Sequence, residues 1–248
     1  LTQKNVKKFY FCQGFETHHI ANKERVEATY NLPLTKICVS NWVRESIHSL
    51  TGKSNQLVVP NGVDTGQFYS VPRVKSGEPK FGFLYSPSHW KGTDIVLKAL
   101  KLAKQLNPAI TAVCFGTDKS YGRTDLPSWI QSYQNPSQDF IRNIYGSCDG
   151  WLFGSRAEGF GLPILEAMAC RTPVIATPAG AAIDIIVDHD NGLLVEHNNP
   201  EAMSMKILQI AGMNARDWRM MSESAYITAR KHNWEESVDN FERILSGQ

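Results

Sequence analysis

The chain has 248 residues, a net charge of +2 and 42% hydrophobic residues. This length allows one large domain or two small ones, and the small charge gives no support for a nucleic-acid-binding protein. The five cysteines are widely and irregularly spaced without a CxxC pair, which argues against a disulfide framework and a zinc site. No apolar run of about 18 residues is present, so we predict no membrane span and expect a cytoplasmic protein.

Short apolar runs predict strands in the first part of the chain. These runs are KFYFC, KICVS and QLVVP, at residues 8–12, 36–40 and 56–60; they are rich in β-branched and aromatic residues. Ser40 is placed to cap a helix that runs through Leu50. Residues 64–80 form a polar connector with two prolines and two glycines. We place a domain boundary there, and the predicted domains are 1–63, 64–232 and 233–248.

Strands and helices alternate from residue 81 onwards. The predicted strands are 81–86, 110–116, 150–155, 173–177 and 192–196. The predicted helices are 93–106, 138–148, 163–170, 200–212, 214–231 and 233–245, with Thr93 as a cap and 183–188 as a short helix or turn. This alternation indicates an α/β protein with a Rossmann-like, doubly wound parallel sheet. Ligands of such sheets bind at the carboxyl ends of strands, so the loops after 86, 116, 155 and 177 should line one crevice.

The stretch EGFGLPILEAMA, residues 158–169, follows one of these strands. Pro163 suits the first position of a helix, and the free N–H groups of that helix end attract an anion such as a diphosphate. Glu166, placed in the first turn, is suited to accept hydrogen bonds from a ribose diol. Glu158 lies near the place of a sugar on that diphosphate. Ordinary turn chemistry explains the glycines and the proline equally well; the two acids favour a ligand.

The extended stretch EGFGLPILEAMACRTPVIAT resembles the signature of the retaining glycosyltransferases of family 4, also called group 1 glycosyltransferases. That signature holds two glutamates separated by seven residues, here Glu158 and Glu166. Further segments resemble the same family: PNGVD at 60–64, KG at 91–92, AGAAIDII at 179–186, NGLLV at 191–195 and NWEESVDNFERIL at 233–245. The resemblance covers roughly residues 36–245.

The resemblance implies a GT-B fold whose second Rossmann-like domain holds a nucleoside diphosphate sugar. It implies a retaining, metal-independent, hexosyltransferase-like enzyme with no cofactor, acting on a glycan or glycolipid acceptor in polysaccharide or glycoconjugate synthesis. Glu158 would contact the donor sugar, Glu166 the ribose, and Lys91 would neutralise the departing diphosphate. The backbone amides that would hold sugar and phosphate are those of Gly159, Phe160, Gly161 and Leu162. UDP or GDP is favoured over ADP as the nucleotide.

Two departures from the family pattern bear on the binding of donor and acceptor. Ser86 stands where the family usually has an arginine, five residues before the lysine; we keep Ser86 among the donor-binding residues and consider Arg73, Arg123 or Arg156 as the replacing cation. Only some 60 residues precede PNGVD, so most of the acceptor-side domain is missing. The chain is then either a fragment or a short protein that needs a partner. Peripheral membrane association through the missing domain stays open.

Two alternatives to a transferase remain at this point. The chain would be either a truncated module that binds a nucleotide sugar without catalysis, or a GT-B epimerase that isomerises the donor.

The sequence DHD at 188–190 is similar to an Asp-x-Asp metal motif. It precedes Asn-Gly, however, so we interpret these acids as turn residues and expect no metal site.

Overall fold

The computed structural model describes residues 7–18, 22–117 and 126–247, which form two parallel sheets. The strands are β1 (Phe9–Cys12), β2 (Thr35–Cys38), β3 (Gln56–Val58), β4 (Lys80–Leu84), β5 (Thr111–Gly116), β6 (Ile130–Gln134), β7 (Gly150–Phe153), β8 (Val174–Ala176) and β9 (Gly192–Leu194). The first sheet has the order β1-β2-β3, and the second has the order β6-β5-β4-β7-β8-β9. Every pairing is parallel. The predicted α/β class with a doubly wound sheet is therefore confirmed.

The helices are α1 (Lys23–Tyr30), α2 (Asn41–Thr51), α3 (Thr93–Leu106), α4 (Gln138–Gly146), α5 (Leu162–Ala169), α6 (Ala182–Ile185), α7 (Pro200–Gly212), α8 (Ala215–Lys231) and α9 (Trp234–Ser246). All except α1 lie where the sequence predicts a helix or turn. Neither α1 nor β6 was predicted. No helix in the described part of the chain combines the length and the apolar character that crossing a membrane requires.

The strand order of the second sheet reverses between β4 and β7. The chain leaves β4 in one direction, to β5 and β6, and later builds β7, β8 and β9 on the other side. Loops at the carboxyl ends of strands diverge at such a switch point and leave a crevice for a ligand. The loops after β4 and β7, which carry Lys91 and Glu158, flank this point.

Both faces of the second sheet are covered. All four residues of β7, GWLF, are buried, as expected for a strand between two helical layers. One apolar cluster joins the two sheets, since Cys12 and Cys38 of the first pack in the same cluster as Phe153 and Val174 of the second. All five cysteines lie in the described part of the chain, where they are buried and form no disulfide bond, as their irregular spacing predicts.

The connector between the sheets is anchored to the second sheet. The guanidinium carbon of Arg73 lies 4.6 Å from the centre of the Trp218 ring. Arg73 also pairs with the buried carboxylate of Asp149, with a nitrogen–oxygen distance of 3.5 Å. Asp149 accepts hydrogen bonds from the backbone N–H groups of Ser76 and Lys80, each at 2.9 Å. These contacts fix the segment that enters β4.

The last helix returns to the first sheet. The Val63 N–H donates to the carbonyl of His232 at 2.8 Å, and Ser237 Oγ donates to the carbonyl of Pro60 at 2.7 Å. The ring of Phe241 meets that of Phe11 edge to face, 5.3 Å between centres. Helix α9 thus crosses back to the first sheet; the division into three domains stays a prediction.

Of the two predicted helix caps, one is confirmed and one is wrong. Ser40 Oγ accepts a hydrogen bond from the Val43 N–H at 3.2 Å. Thr93, in contrast, is the first residue of α3, and Gly92 with φ of 64° occupies the cap position. The Thr93 hydroxyl instead donates to the carbonyl of Ser86 at 2.7 Å and accepts from its N–H at 3.1 Å. Thr93 therefore closes the β4–α3 loop.

Candidate functional site

Lys91 and Glu158 lie in direct contact at the switch point of the second sheet. Lys91 Nζ is 2.5 Å from Glu158 Oε1, and Ser155 Oγ donates to the same oxygen at 3.1 Å. The side chains of Lys91 and Glu158 are 28% and 13% exposed. A cation and an anion thus stand together in a partly desolvated crevice, where their fields act more strongly than in water.

Arg156 fastens the short 3-10 turn that carries Lys91. Its guanidinium donates to both carboxylate oxygens of Asp94 at 2.9 and 2.7 Å and to the carbonyl of His89 at 2.6 Å. Its backbone N–H donates to the carbonyl of Trp90 at 2.7 Å. The hydrogen bond from Arg156 lowers the pKa of Asp94, so this clamp stays charged at neutral pH. The turn 89–91 is thereby held against the loop that carries Glu158.

The structure also locates the arginines that we considered as a second phosphate cation. Arg156 is engaged in the clamp. Arg73 pairs with Asp149, which directly precedes β7. Asp149 therefore lies at the amino end of this strand, whereas Glu158 follows its carboxyl end. Arg123 lies outside the described residues. In this structure Arg156 is bound to Asp94 and Arg73 lies away from Glu158; a second phosphate cation stays a prediction.

The amino end of α5 presents unpaired amides. Within the described residues, the backbone N–H groups of Gly159, Phe160, Gly161 and Leu162 donate no hydrogen bond. Gly161 caps the helix with φ of 96° and no side-chain hydrogen bond; a Cβ at this position would lie 2.8 Å from the Phe153 ring. Gly159 and Leu162 are half-buried, whereas Phe160 and Gly161 are buried. A helix end with free N–H groups and a positive dipole is suited to bind an anion.

Glu166 lies one turn deeper in α5 than predicted. The helix begins at Leu162 and has no acidic residue in its first turn, so Glu166 belongs to the second turn. Its Oε2 accepts the hydroxyl hydrogen of Tyr145 at 2.6 Å. Burial raises the pKa of Glu166, and the Tyr145 hydrogen bond opposes that shift. Since the folded-state pKa is raised, this carboxylate costs stability at neutral pH, and the cost is relieved as the pH falls through that pKa.

Ser86 shapes its own loop. Its Oγ accepts a hydrogen bond from the Ser88 N–H at 3.3 Å, and its backbone is bonded to Thr93. Ser86 also lines a surface pocket of about 400 Å³ together with His89 and Asp94. Within the described residues, Ser86 forms no hydrogen bond with Lys91 or Glu158.

The loops after β4, β7 and β8 converge, as predicted. The Ala181 N–H donates to the carbonyl of Phe160 at 2.7 Å, which fixes the loop after β8 behind the one after β7. Residues 118–125, in the loop after β5, lie outside the described residues.

The first sheet closes on the same site, and the sequence did not predict the contacts that Ser40 and Asn41 make there. Ser40 Oγ, while capping α2, donates to the carbonyl of Gly159 at 2.7 Å. The backbone N–H and side-chain amide of Asn41 donate to the two carboxylate oxygens of Asp184, each at 2.9 Å. A Cβ on Gly159 would lie 1.8 Å from the carbonyl oxygen of Gln13. The carboxyl ends of β1 and β2 therefore press on the loop after β7.

The acids of the DHD stretch serve the turn. Asp188 accepts a hydrogen bond from the Leu194 N–H at 2.8 Å, and Asp190 accepts one from Ser224 Oγ at 2.6 Å. His189 adopts φ of 68° between them. These contacts confirm the interpretation as turn residues. Over the described ranges, no group of three or more histidine, cysteine or acidic side chains is arranged to hold a metal ion.

The family is decided by a match to residues 68–228, which fit the model described as Glycosyl transferases group 1. The chain belongs to the group 1 glycosyltransferases. An uncharacterized glycosyltransferase of Methanocaldococcus jannaschii is 29% identical over 215 residues, covering 84% of this chain and 58% of the relative. A D-inositol 3-phosphate glycosyltransferase of Segniliparus rotundus is 27% identical over 205 residues, covering 73% and 44%. The chain thus spans about half the length of these relatives.

A solved structure shows the same architecture. The crystal structure of Anabaena HepE in complex with UDP-glucose superposes with a TM-score of 0.82 at 20% identity, covering 98% of this chain and 72% of that chain. At this identity the likeness establishes the fold alone. It confirms the Rossmann-like, parallel-sheet architecture of the GT-B type.

Proposed function

We propose that this group 1 glycosyltransferase moves a sugar from a nucleoside diphosphate sugar to a glycan or glycolipid acceptor. We further propose a retaining, metal-independent reaction of the family 4 type. The contact between Lys91 and Glu158, beside the unpaired amides that begin α5, carries this proposal. It supplies a cation, an anion-binding helix end and a hydrogen-bond acceptor at one switch point of the sheet.

The leaving group explains the cation. As the bond between the sugar and the diphosphate breaks, negative charge grows on the phosphate oxygens. Lys91 and the α5 amides are fixed donors for that charge, and donors that are already oriented lower the barrier. In the structure, Lys91 is paired with Glu158. Donor binding replaces this pair: the ammonium group then meets phosphate, and the Glu158 carboxylate accepts hydrogen bonds from the sugar.

The remaining contacts concern the nucleoside. Glu166 is proposed to bind the ribose diol, with UDP or GDP preferred over ADP. The UDP-glucose complex of HepE supports a uridine donor. The acceptor would bind on the side of the first sheet, which reaches the loop after β7 through Ser40.

A thermal-shift assay tests the donor site. UDP, GDP and ADP are compared; the preferred one, at a hundred times its Kd, should stabilise the fold by about 2.7 kcal/mol, or roughly 5–11 °C in Tm for a chain of this size. Glu166→Ala should remove most of that shift, whereas the exposed control Glu242→Ala should keep it. The proposal fails if none of the three nucleotides changes Tm. Product analysis with the sugar nucleotide separates transfer from isomerisation, which would identify an epimerase.

Arg156→Ala should weaken donor use without unfolding the protein. Loss of the hydrogen bonds to Asp94 and His89 frees the turn that carries Lys91. Hydrogen bonds to charged groups contribute about 1.5–3 kcal/mol, and the partial exposure of Asp94 puts this case at the low end. We therefore expect the donor KM to rise roughly tenfold in steady-state assays. Arg219→Ala, an exposed arginine on α8, is the control; equal KM values for both variants would contradict the role of the clamp.

A further inference from the structure

Tyr145 is a buried phenol aimed at the proposed ribose carboxylate. It lies near the end of α4 with no exposed surface, and its hydroxyl is 2.6 Å from Glu166 Oε2. Three aromatic rings surround it edge on, those of Trp151, Phe115 and Phe68, with centres at 4.4, 5.7 and 6.1 Å. This packing holds the ring in one orientation, so the hydroxyl is a fixed donor.

The partner of this hydroxyl is half-buried and carries a spare acceptor. Tyr145 occupies Oε2 of Glu166, while Oε1 accepts no hydrogen bond from any described residue. Within the described ranges, Glu166 also forms no salt bridge. A carboxylate oxygen binds up to about two hydrogens, so Oε1 is available for a ligand.

A carboxylate is an energetically unfavourable acceptor for the Tyr145 hydroxyl if its role is structural only. A buried phenol is satisfied equally well by a neutral backbone carbonyl, as the hydroxyl of Tyr30 is by the carbonyl of Gly14 at 3.1 Å. Placing a charge in a partly desolvated position without a counter-ion is unfavourable unless further donors reach it. The hydroxyls of a ribose diol are donors of this kind, and they would supply what the protein itself does not.

We propose that Tyr145 is a positioning residue that holds the Glu166 carboxylate by one oxygen and presents the other to the ribose diol, so that the site distinguishes ribonucleotides from deoxyribonucleotides. The role of Tyr145 rests on the proposed function, because it requires a nucleoside diphosphate at Glu166. A site built to bind a hydroxyl rejects the analogue that lacks it, since its own polar group is then left unpaired.

The test compares a ribonucleoside diphosphate with its 2′-deoxy and 3′-deoxy counterparts. The base is that of whichever nucleotide binds most tightly among UDP, GDP and ADP. The Kd of each form is measured by calorimetry. For the wild-type protein, at least one deoxy form should bind about tenfold more weakly, as expected for a lost hydrogen bond to a charged group. In Tyr145→Phe this ratio should fall at least threefold. The control Tyr133→Phe removes a phenol hydroxyl that is bonded to Gln131 and should keep the wild-type ratio.

The ratio of the deoxy to the ribo Kd distinguishes a positioning role of Tyr145 from a purely structural one. If Tyr145→Phe weakens all three nucleotides equally, the residue is structural and the inference is overturned. It is also overturned if the wild-type protein binds the ribo and deoxy forms alike. A second variant, Glu166→Gln, keeps an acceptor for Tyr145 but loses the charge; it should reduce the ratio too, and an unchanged ratio there would count against the inference. Absence of nucleotide binding by the wild-type protein would instead refute the proposed function itself.

Discussion

Replacing Lys91 with methionine is expected to reduce sugar transfer by roughly 10²–10³-fold, the usual cost of removing one fixed donor from developing charge. Methionine keeps most of the side-chain volume and removes only the ammonium group. Glu158 then retains Ser155 as a partner, so the fold should stay intact. The effect should appear mainly in kcat, because the diphosphate carries more charge in the transition state than in the bound donor.

The control for this variant is Lys101→Met. Lys101 is an exposed lysine on α3, and its loss should leave turnover unchanged. Both variants are assayed by release of the nucleoside diphosphate from the donor, beside a thermal melt that reports folding. Turnover of Lys91→Met at the wild-type level would show that the leaving group is neutralised elsewhere.

Asp149→Ala should cause a large loss of stability. It leaves the guanidinium of Arg73 without its partner and two backbone N–H groups, those of Ser76 and Lys80, without an acceptor. Breaking a buried pair by removing one charge costs about 3–5 kcal/mol. For a chain of this length, Tm should fall by roughly 6–20 °C.

Denaturant unfolding and thermal melts measure this change. Asp239→Ala, an exposed carboxylate on α9, is the matched control and should lower the free energy of unfolding by less than about 0.5 kcal/mol. The double variant Arg73→Met with Asp149→Ala should recover part of the loss, because no unpaired charge remains. A loss for Asp149→Ala as small as that of the control would mean that the connector is not anchored by this pair.

Sequence periodicity located the second sheet because its buried strands are continuous apolar runs. GWLF and VIA are buried at every position, and such runs are readable without tertiary information. Strand β6 escaped for the opposite reason: it lies at the sheet edge, and of its residues IQSYQ only Ile130 is buried. Helix α1, with the sequence KERVEATY, buries only Tyr30 and so has no apolar stripe to reveal it.

Some residues of the candidate site could be predicted from the sequence, and others could not. Glu158, the glycines and Pro163 were visible because a strand, a turn and a helix start adjoin in sequence. The roles of Tyr145, Ser40 and Asn41 were not visible. Ser40 meets Gly159 across 119 positions, and Asn41 meets Asp184 across 143. Contacts at such separations depend on how the two sheets pack, and no local pattern encodes them. The hydrogen bonds of Arg156 to Asp94 are likewise a tertiary contact. Because the sequence does not show them, Arg156 was considered as a phosphate ligand.

The hydroxyl of Ser40 has a mechanical consequence. It bonds to the carbonyl of Gly159, and the pair of Asn41 with Asp184 lies beside it. A hinge rotation that swings the two halves apart must rupture these bonds first, and it would pull on the segment that bears Glu158. Glycine at 159, which leaves no clearance over Gln13, sets how tightly the halves can shut. Under the proposed function, opening the two halves for substrate entry would therefore also displace the Glu158 carboxylate.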